Sequence, residues 1–182
     1  MKLRTGTAFV LMIVLVVLSV GFGAYRGWSQ ERAKVEETRV GLESMLRTRV
    51  ESAYNVLAVA RRHLSAGDDG LRQVETAKDT LESAQSSLSD KARANTQLTD
   101  SVSGLLSRLA GLESVQNDGR DKMYVVNYLP QMMEQSEEKT AGANYNSAAR
   151  EFNKKLNGTF SGWLARLLGI KLAEEFIAAK EG

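Results

Sequence analysis

From Thr5 to Tyr25 the chain carries no charged side chain, and Ala8–Val20 (AFVLMIVLVVLSV) is almost wholly aliphatic. As a helix, those 21 residues span about 32 Å, which matches a bilayer's hydrocarbon core. Lys2 and Arg4 precede the run, and Tyr25, Arg26 and Trp28 follow it as an interfacial belt. A cleaved secretory signal has the same basic start and apolar run. Here SVGFGAYRG offers only glycines near the small-residue positions that cleavage needs. The reading taken forward is an uncleaved anchor over residues 1–28, followed by one helical domain over residues 29–182.

Orientation is open on charge alone. Lys2, Arg4 and the amino terminus stand against Arg26, Arg32, Lys34 and Arg39 on the other flank. The topology carried forward is a cytoplasmic N-terminus in the cell (inner) membrane with an extracytoplasmic domain.

The rest of the chain predicts an all-α fold. Pro130 is the only proline in 182 residues, and proline is what breaks helix interiors. Leu42, Leu46, Val50, Ala53, Leu57, Ala60 and Leu64 step by four and three along one helix face, from about Gln30 to the turn at AGDDG, Ala66–Gly70. Val74, Leu81, Leu88, Asn95, Val102 and Leu109 recur every seven residues, and Ala77, Ala84, Lys91, Leu98, Leu105 and Leu112 follow three positions behind. That is a heptad seam, and an unbroken helix from Leu71 to Gln116 would be about 69 Å long. Asn95 and Lys91 interrupt the seam together; they act either as a register or oligomer selector or as a sign of local fraying around SSLSDK. After the turn at QNDGRD, a third helix runs from Asp121 or Pro130 to Leu156 and is capped at Asn157-Gly158. The expectation is an N-terminal transmembrane helix, an elongated antiparallel bundle of three long helices and a short C-terminal helix.

That last piece carries Phe160, Trp163, Leu164, Leu167, Leu168, Leu172 and Phe176 on one side. Docking onto the bundle is the plainer account of the stripe. A membrane-surface or partner-facing helix, led by Trp163, Leu167 and Phe176, is the sharper one, although the mixed charge of Arg166, Lys171, Glu174 and Glu175 argues against strong membrane affinity.

Reactive constellations are scarce. There is no cysteine, and His63, the one histidine, sits beside Arg61 and Arg62 and reads as a solvated helix-end residue. Paired acids such as Asp68-Asp69 or Glu137-Glu138 are adjacent in sequence and point apart on a helix. No phosphate cradle or calcium loop is evident, so no catalytic, cofactor or metal residues are assigned and no enzyme activity is expected. Beyond Lys2 and Arg4 the charges balance at 22 against 22, which gives no field for nucleic acid. One polar cluster stands out: Asn146, Arg150 and Asn153 fall at i, i+4 and i+7 beside Tyr145, and Asn55 flanks the face of the first helix. Buried asparagines need partners, so these five residues are expected to form an interhelical network.

Those segments resemble the LemA family. ETRVGLESMLRTRVESAYNVL, Glu37–Leu57, aligns without gaps to the family's EAWSxIDVQLKRR…PNLV, with Glu37, Leu42, Glu43, Leu46, Arg47, Arg49 and Asn55 at identical or similar positions. SEEKTAGANYNSAAREFNKKLN resembles TENRIAxARxxYNxAVRxYN, with Tyr145, Asn146, Ala148, Arg150, Phe152 and Asn153 in register. GLRQVETAKDTLESA and SGWLARLLGI resemble the family's next helix and its short C-terminal stretch. The family's tryptophan and the proline before Asn55 are replaced here. The resemblance implies a membrane-anchored antiparallel helical domain without catalytic residues. From this follows an expected role as a scaffold or adaptor that meets the membrane through its N-terminal helix and binds other proteins or copies of itself, with no small-molecule substrate or nucleic acid. The alternatives are a spanin-like coiled-coil rod and a helical sensor module.

Overall fold

The structure, a computed structural model, describes residues 5–141 and 144–178, and most of these are helical, with no strand among them. Lys2 and Arg4 of the N-terminal flank lie outside the described residues. Helix α1 is Thr5–His63. The first helix, expected to start near Gln30, is continuous with the apolar run before it. The physical reason is simple: Gly21, Gly23 and Gly27 each weaken a helix by about 1 kcal/mol, but none removes a backbone donor, and extending a formed helix is cheap. Arg61, Arg62 and His63 occupy its last turn, where positive charge suits the helix dipole.

Helix α2, Asp69–Glu82, starts at Asp68, whose carboxylate accepts the N–H groups of Gly70 (2.8 Å) and Leu71 (3.3 Å). The expected continuous helix to Gln116 is not formed. The chain leaves the helix at Ser83–Ser87, and α3 begins afresh as Leu88–Ala110. Serines compete with the helix for its own hydrogen bonds, and Ser87 becomes an N-cap that accepts from Asp90 N at 3.0 Å. The seam then folds on itself. Asp68 pairs with Arg108 and Gly70 lies against Leu105, so α2 and α3 run antiparallel. Leu71, Val74, Ala77 and Leu81 of α2 are buried, as are Leu88, Leu98, Val102, Leu105 and Leu109 of α3. The two halves of the seam meet each other within a hairpin.

The third expected helix is subdivided too. After α4, Glu113–Gln116, come α5, Gly119–Met123, a π turn at Tyr124–Tyr128 and α6, Leu129–Ala141. Pro130 sits inside this continuous path. Its ring lacks a donor and crowds the carbonyl four residues back, and the wider π turn just ahead, with Leu129 N–H bonded to Tyr124 O, makes room for it. Helix α7, Tyr145–Gly158, runs through the expected cap at Asn157-Gly158 and ends at Thr159, which N-caps α8, Phe160–Leu167.

The chain packs as two compact units, Met1–Thr38 with Asn146–Ala173, and Arg39–Tyr145 with Glu174–Gly182. In the larger unit the core gathers Leu42, Leu46, Val50, Ala53, Val56, Leu57 and Ala60 of α1 with the α2–α3 hairpin, Val115, Val125, Leu129, Met133 and Tyr145. In the smaller unit every residue from Ala8 to Val20 is exposed. Burial begins at Gly21 and recurs at Ala24, Trp28, Arg32 and Val35, one helix face, against α7 and α8. Trp28 meets Phe152 edge-on at 5.9 Å, and the Arg32 guanidinium lies 5.7 Å from the same ring.

Gly162 is the tightest point of that unit. A Cβ built on it would stand 2.1 Å from Leu156 O, a backbone atom that cannot rotate away. Gly104, mid-helix in α3, has nothing within 4 Å of that position. The same substitution should therefore have opposite signs at the two sites. Gly162→Ala is expected to destabilise by about 1–3 kcal/mol through overpacking. Gly104→Ala should stabilise by about 0.4–1 kcal/mol. Denaturant unfolding in detergent, followed by tryptophan fluorescence and circular dichroism, checks both.

Candidate functional site

The most buried polar group is Arg49, whose side chain is 0% exposed. It falls three residues after Leu46 and four before Ala53, on the face that α1 turns to the core. Nη2 donates to Thr99 Oγ1 (2.6 Å) and Asn95 O (3.4 Å) of α3; Nη1 donates to Ser136 Oγ and Met133 O (both 3.4 Å) of α6. Glu137 Oε2 lies 3.9 Å away and also accepts from Thr99 Oγ1 at 3.1 Å. Burial lowers the Arg49 pKa and Glu137 works in the opposite direction. Arg49 Nε and Asn95 Oδ1 find no hydrogen-bond partner. One guanidinium thus joins three helices. The apolar stripe runs through Val50, and the same 3/4 stepping from Leu46 to Ala53 also reaches residue 49, the one sign of Arg49 in the sequence.

Thr99 and Glu137 also border a groove of about 430 Å³ between α3 and the π turn with α6, lined chiefly by Val102, Leu106, Val125 and Met133. Its walls are apolar and its acidic groups, Glu134 and Glu137, sit among them.

A second polar knot closes the C-terminal end of α1. His63 is not a solvated residue: its side chain is 8% exposed. Its Nε2 lies 2.8 Å from Asp121 Oδ2 and its Nδ1 lies 3.1 Å from Ser114 Oγ. Arg62 grips both oxygens of Asp121, through Nε (2.8 Å) and Nη2. The line Ser114–His63–Asp121 has the order of a nucleophile–base–acid relay. The same carboxylate also accepts from the Arg62 guanidinium, and the cluster links α1 to α4 and α5. Residues 51 and 58 positions from His63 supply its partners, so neighbouring sequence carried no sign of them. Burial opposes the charged form of Asp121, but hydrogen bonds from Arg62 and His63 outweigh it and hold the carboxyl below its usual range.

Lys78 of α2 is also buried, at 6% exposure. Its ammonium bonds to Asp79, to Tyr54 Oη (3.1 Å) and to Glu82 (3.4 Å), and lies 4.4 Å from the Tyr54 ring centroid. Desolvation lowers its pKa and these partners more than reverse the effect, so it stays a cation.

The five residues expected to form an interhelical network are placed as follows. Asn55 is exposed, and its Nδ2 reaches Met132 Sδ at 3.8 Å. Tyr145 is buried and donates to Glu174 O. Asn153 donates to Ala173 O (2.9 Å) and accepts from Ala173 N (2.8 Å), a paired bond that ties the C-terminal tail to α7. Asn146 is half-buried and Arg150 exposed. Of the suggested partner-facing residues, Trp163 is 54% and Leu167 65% exposed, while Phe176 is half-buried. Within α8, Gly162 and Ala165 are the buried residues, Leu164 is half-buried, and Phe160, Trp163, Leu167 and Leu168 are exposed.

Among the described residues no group of three metal-ligating side chains converges. No family model, curated protein or solved structure matches the chain.

Two outcomes test these polar sites. Glu137→Gln should destabilise by roughly 1 kcal/mol, a modest figure because solvent screens the half-exposed carboxylate. Arg49→Met, of similar length and uncharged, should leave stability unchanged or raise it, and should abolish the effect of Glu137→Gln in the double variant. Denaturant unfolding in detergent reads all three. For Asp121, the folded carboxyl binds its proton less tightly than the unfolded one. Its stabilisation is therefore complete above the ordinary Asp pKa of about 4 and drains away as pH falls through the lowered folded value. Thermal unfolding between neutral and acidic pH should show this acid loss in the parent and a flatter profile in Asp121→Asn.

Proposed function

We propose that this chain is a single-pass membrane protein of the LemA type, held in the cell (inner) membrane by the first part of α1 with its helical region extracytoplasmic. That region acts as a non-catalytic scaffold or adaptor for protein partners or further copies of itself. The observation that carries the reading is the state of the apolar run. A core helix of this hydropathy would be covered, yet none of the apolar window of α1 is buried within the chain. The hydrocarbon of a bilayer is the environment that such a surface fits.

Two features favour an uncleaved anchor over a signal. The helix continues without interruption beyond the run, and the residues in the only stretch resembling a cleavage site, Gly21 and Ala24, already belong to the face packed within the smaller unit. Against the spanin-like rod stands the α2–α3 hairpin, which consumes the heptad seam internally. The polar knots at Arg49 and Asp121 lie where helices meet, as structural pins would.

Crosslinking of the full-length protein in intact cells with a membrane-impermeant reagent, followed by mass spectrometry, tests the reading. A short reproducible set of protein neighbours, or of copies of the chain, is expected. Recovery of no protein neighbour would count against the adaptor role. Capture only after the membrane is permeabilised would reverse the orientation.

A further inference from the structure

We infer that α8 and the turn after it form a second membrane contact, a short apolar wedge that dips beside the anchor and seats Leu167 and Leu168 among the acyl chains. The inference rests on the anchor reading above. Its argument lies wholly within the smaller unit, where α8 can be measured against α1.

Two contacts set the depth. Ser161 Oγ, in the first turn of α8, accepts from Trp28 Nε1 at 3.4 Å. At the other end, a Cβ placed on Gly21 would lie 3.8 Å from Leu168 Cδ1. Trp28 stands three residues beyond Tyr25, the last residue of the uncharged run, and Gly21 four residues inside it. At 1.5 Å per residue, α8 enters about 4.5 Å outside the run and reaches about 6 Å within it. It therefore descends along α1 rather than lying clear of the bilayer, and the tip reaches the depth at which interfacial helices bury their apolar faces.

The surface is made for that environment. Phe160, Trp163 and Leu167 follow one another at i, i+3 and i+7, with exposures of 75%, 54% and 65%. The Phe160 and Trp163 rings stack at 5.7 Å, leaving an aromatic step above an aliphatic tip, the order found where a helix crosses from headgroup to hydrocarbon. The opposite face is reduced to Gly162 and Ala165, so α8 lies close on Leu156 and turns its large side chains outward.

Lipid also demands that backbone groups be satisfied and charges be drawn away, and both hold at the tip. Gly169, at φ +98°, ends the helix in a left-handed turn. Ile170 N–H bonds to Ala165 O at 3.0 Å and Gly169 N–H to Arg166 O at 3.1 Å, the paired closure that covers a helix's last carbonyls. Arg166, the one charge on α8, is held back by Asn157 Oδ1 at 2.8 Å, at the end of α7. Lys171 follows on the returning segment, where its long stem can lift its ammonium to the interface. The paired bond between Asn153 and Ala173 fastens that return to α7. The charge of α8 thus lies off its tip.

The absence of cysteine permits a direct depth measurement. Single nitroxide labels would be placed at Leu167→Cys, Phe160→Cys, Val14→Cys and Lys122→Cys in the full-length protein. The protein would be held in nanodiscs of phosphatidylcholine and phosphatidylglycerol, and collision with oxygen and with a water-soluble nickel chelate compared. Position 167 is exposed, so its label should not disturb folding. The expected order is Val14 deepest, then Leu167, then Phe160, with Lys122 in water; oxygen collisions exceed nickel collisions severalfold at 14 and 167. A water signature at 167 while 14 remains in lipid would overturn the wedge and leave the anchor standing. A water signature at both would overturn the anchor and the wedge with it. A label at 167 shielded from both reagents would mean that protein, such as a second copy, covers α8, and would also overturn the proposal.

Discussion

The unbroken backbone ladder of α1 carries both the apolar run and the first buried face of the core. No proline interrupts it, so every residue along it keeps a backbone donor. What changes along it is only what its side faces meet. From Ala8 to Val20 all sides are apolar and uncovered; from Gly21 to Val35 one narrow face is covered; from Leu42 to Ala60 a face of leucine, valine and alanine is fully buried. The remaining helices exist in packed form because α1 offers them a face to bury, as is usual for helices too short to persist alone in water.

Helix content and the faces of α1 were legible in the residues, because 3/4 stepping of apolar positions is a direct geometric consequence of 3.6 residues per turn. The direction of the chain after Leu81 was not. Heptad spacing continues smoothly across Ser83–Ser87, and a periodic pattern contains no information about whether its two halves lie end to end or fold back on each other. The decision rests on serines that cap α3 and stop α2, a local competition too weak to read with assurance from composition. Pro130 is a similar case. A proline inside a helix signals a kink, but whether a π turn absorbs it depends on the packing of Val125 and Leu129, both buried.

The polar sites were less legible than the fold, for a physical reason. Apolar burial repeats and so can be seen in one dimension; hydrogen-bond partners are specific and distant. Asn55, Asn146 and Asn153 drew attention as amides on helical faces, yet the decisive buried group was Arg49, whose partners lie 46 to 87 residues away. An arginine at a core position of an apolar stripe was the available sign. Likewise the apolar residues of α8 were visible, but which of its faces docks was decided by Gly162 and Ala165, where smallness rather than hydrophobicity permits close approach.

Arg49 also explains how a core built mainly from leucine, valine and alanine keeps a single arrangement. Such helices can slide past one another at small cost, because many registers bury similar area. A buried guanidinium does not tolerate this. Taking it out of water costs several kcal/mol unless its donors find acceptors, and here the acceptors come at once from Asn95 and Thr99 of α3 and from Met133 and Ser136 of α6. A shift of α3 or α6 by one turn would carry those oxygens about 5.4 Å away and leave the cation unpaired. The charge therefore adds little to stability in the native register and penalises the others heavily, as a polar residue at one core position of a coiled coil fixes its register. The result is a core in which one buried side chain favours a single register of α3 and α6 against α1.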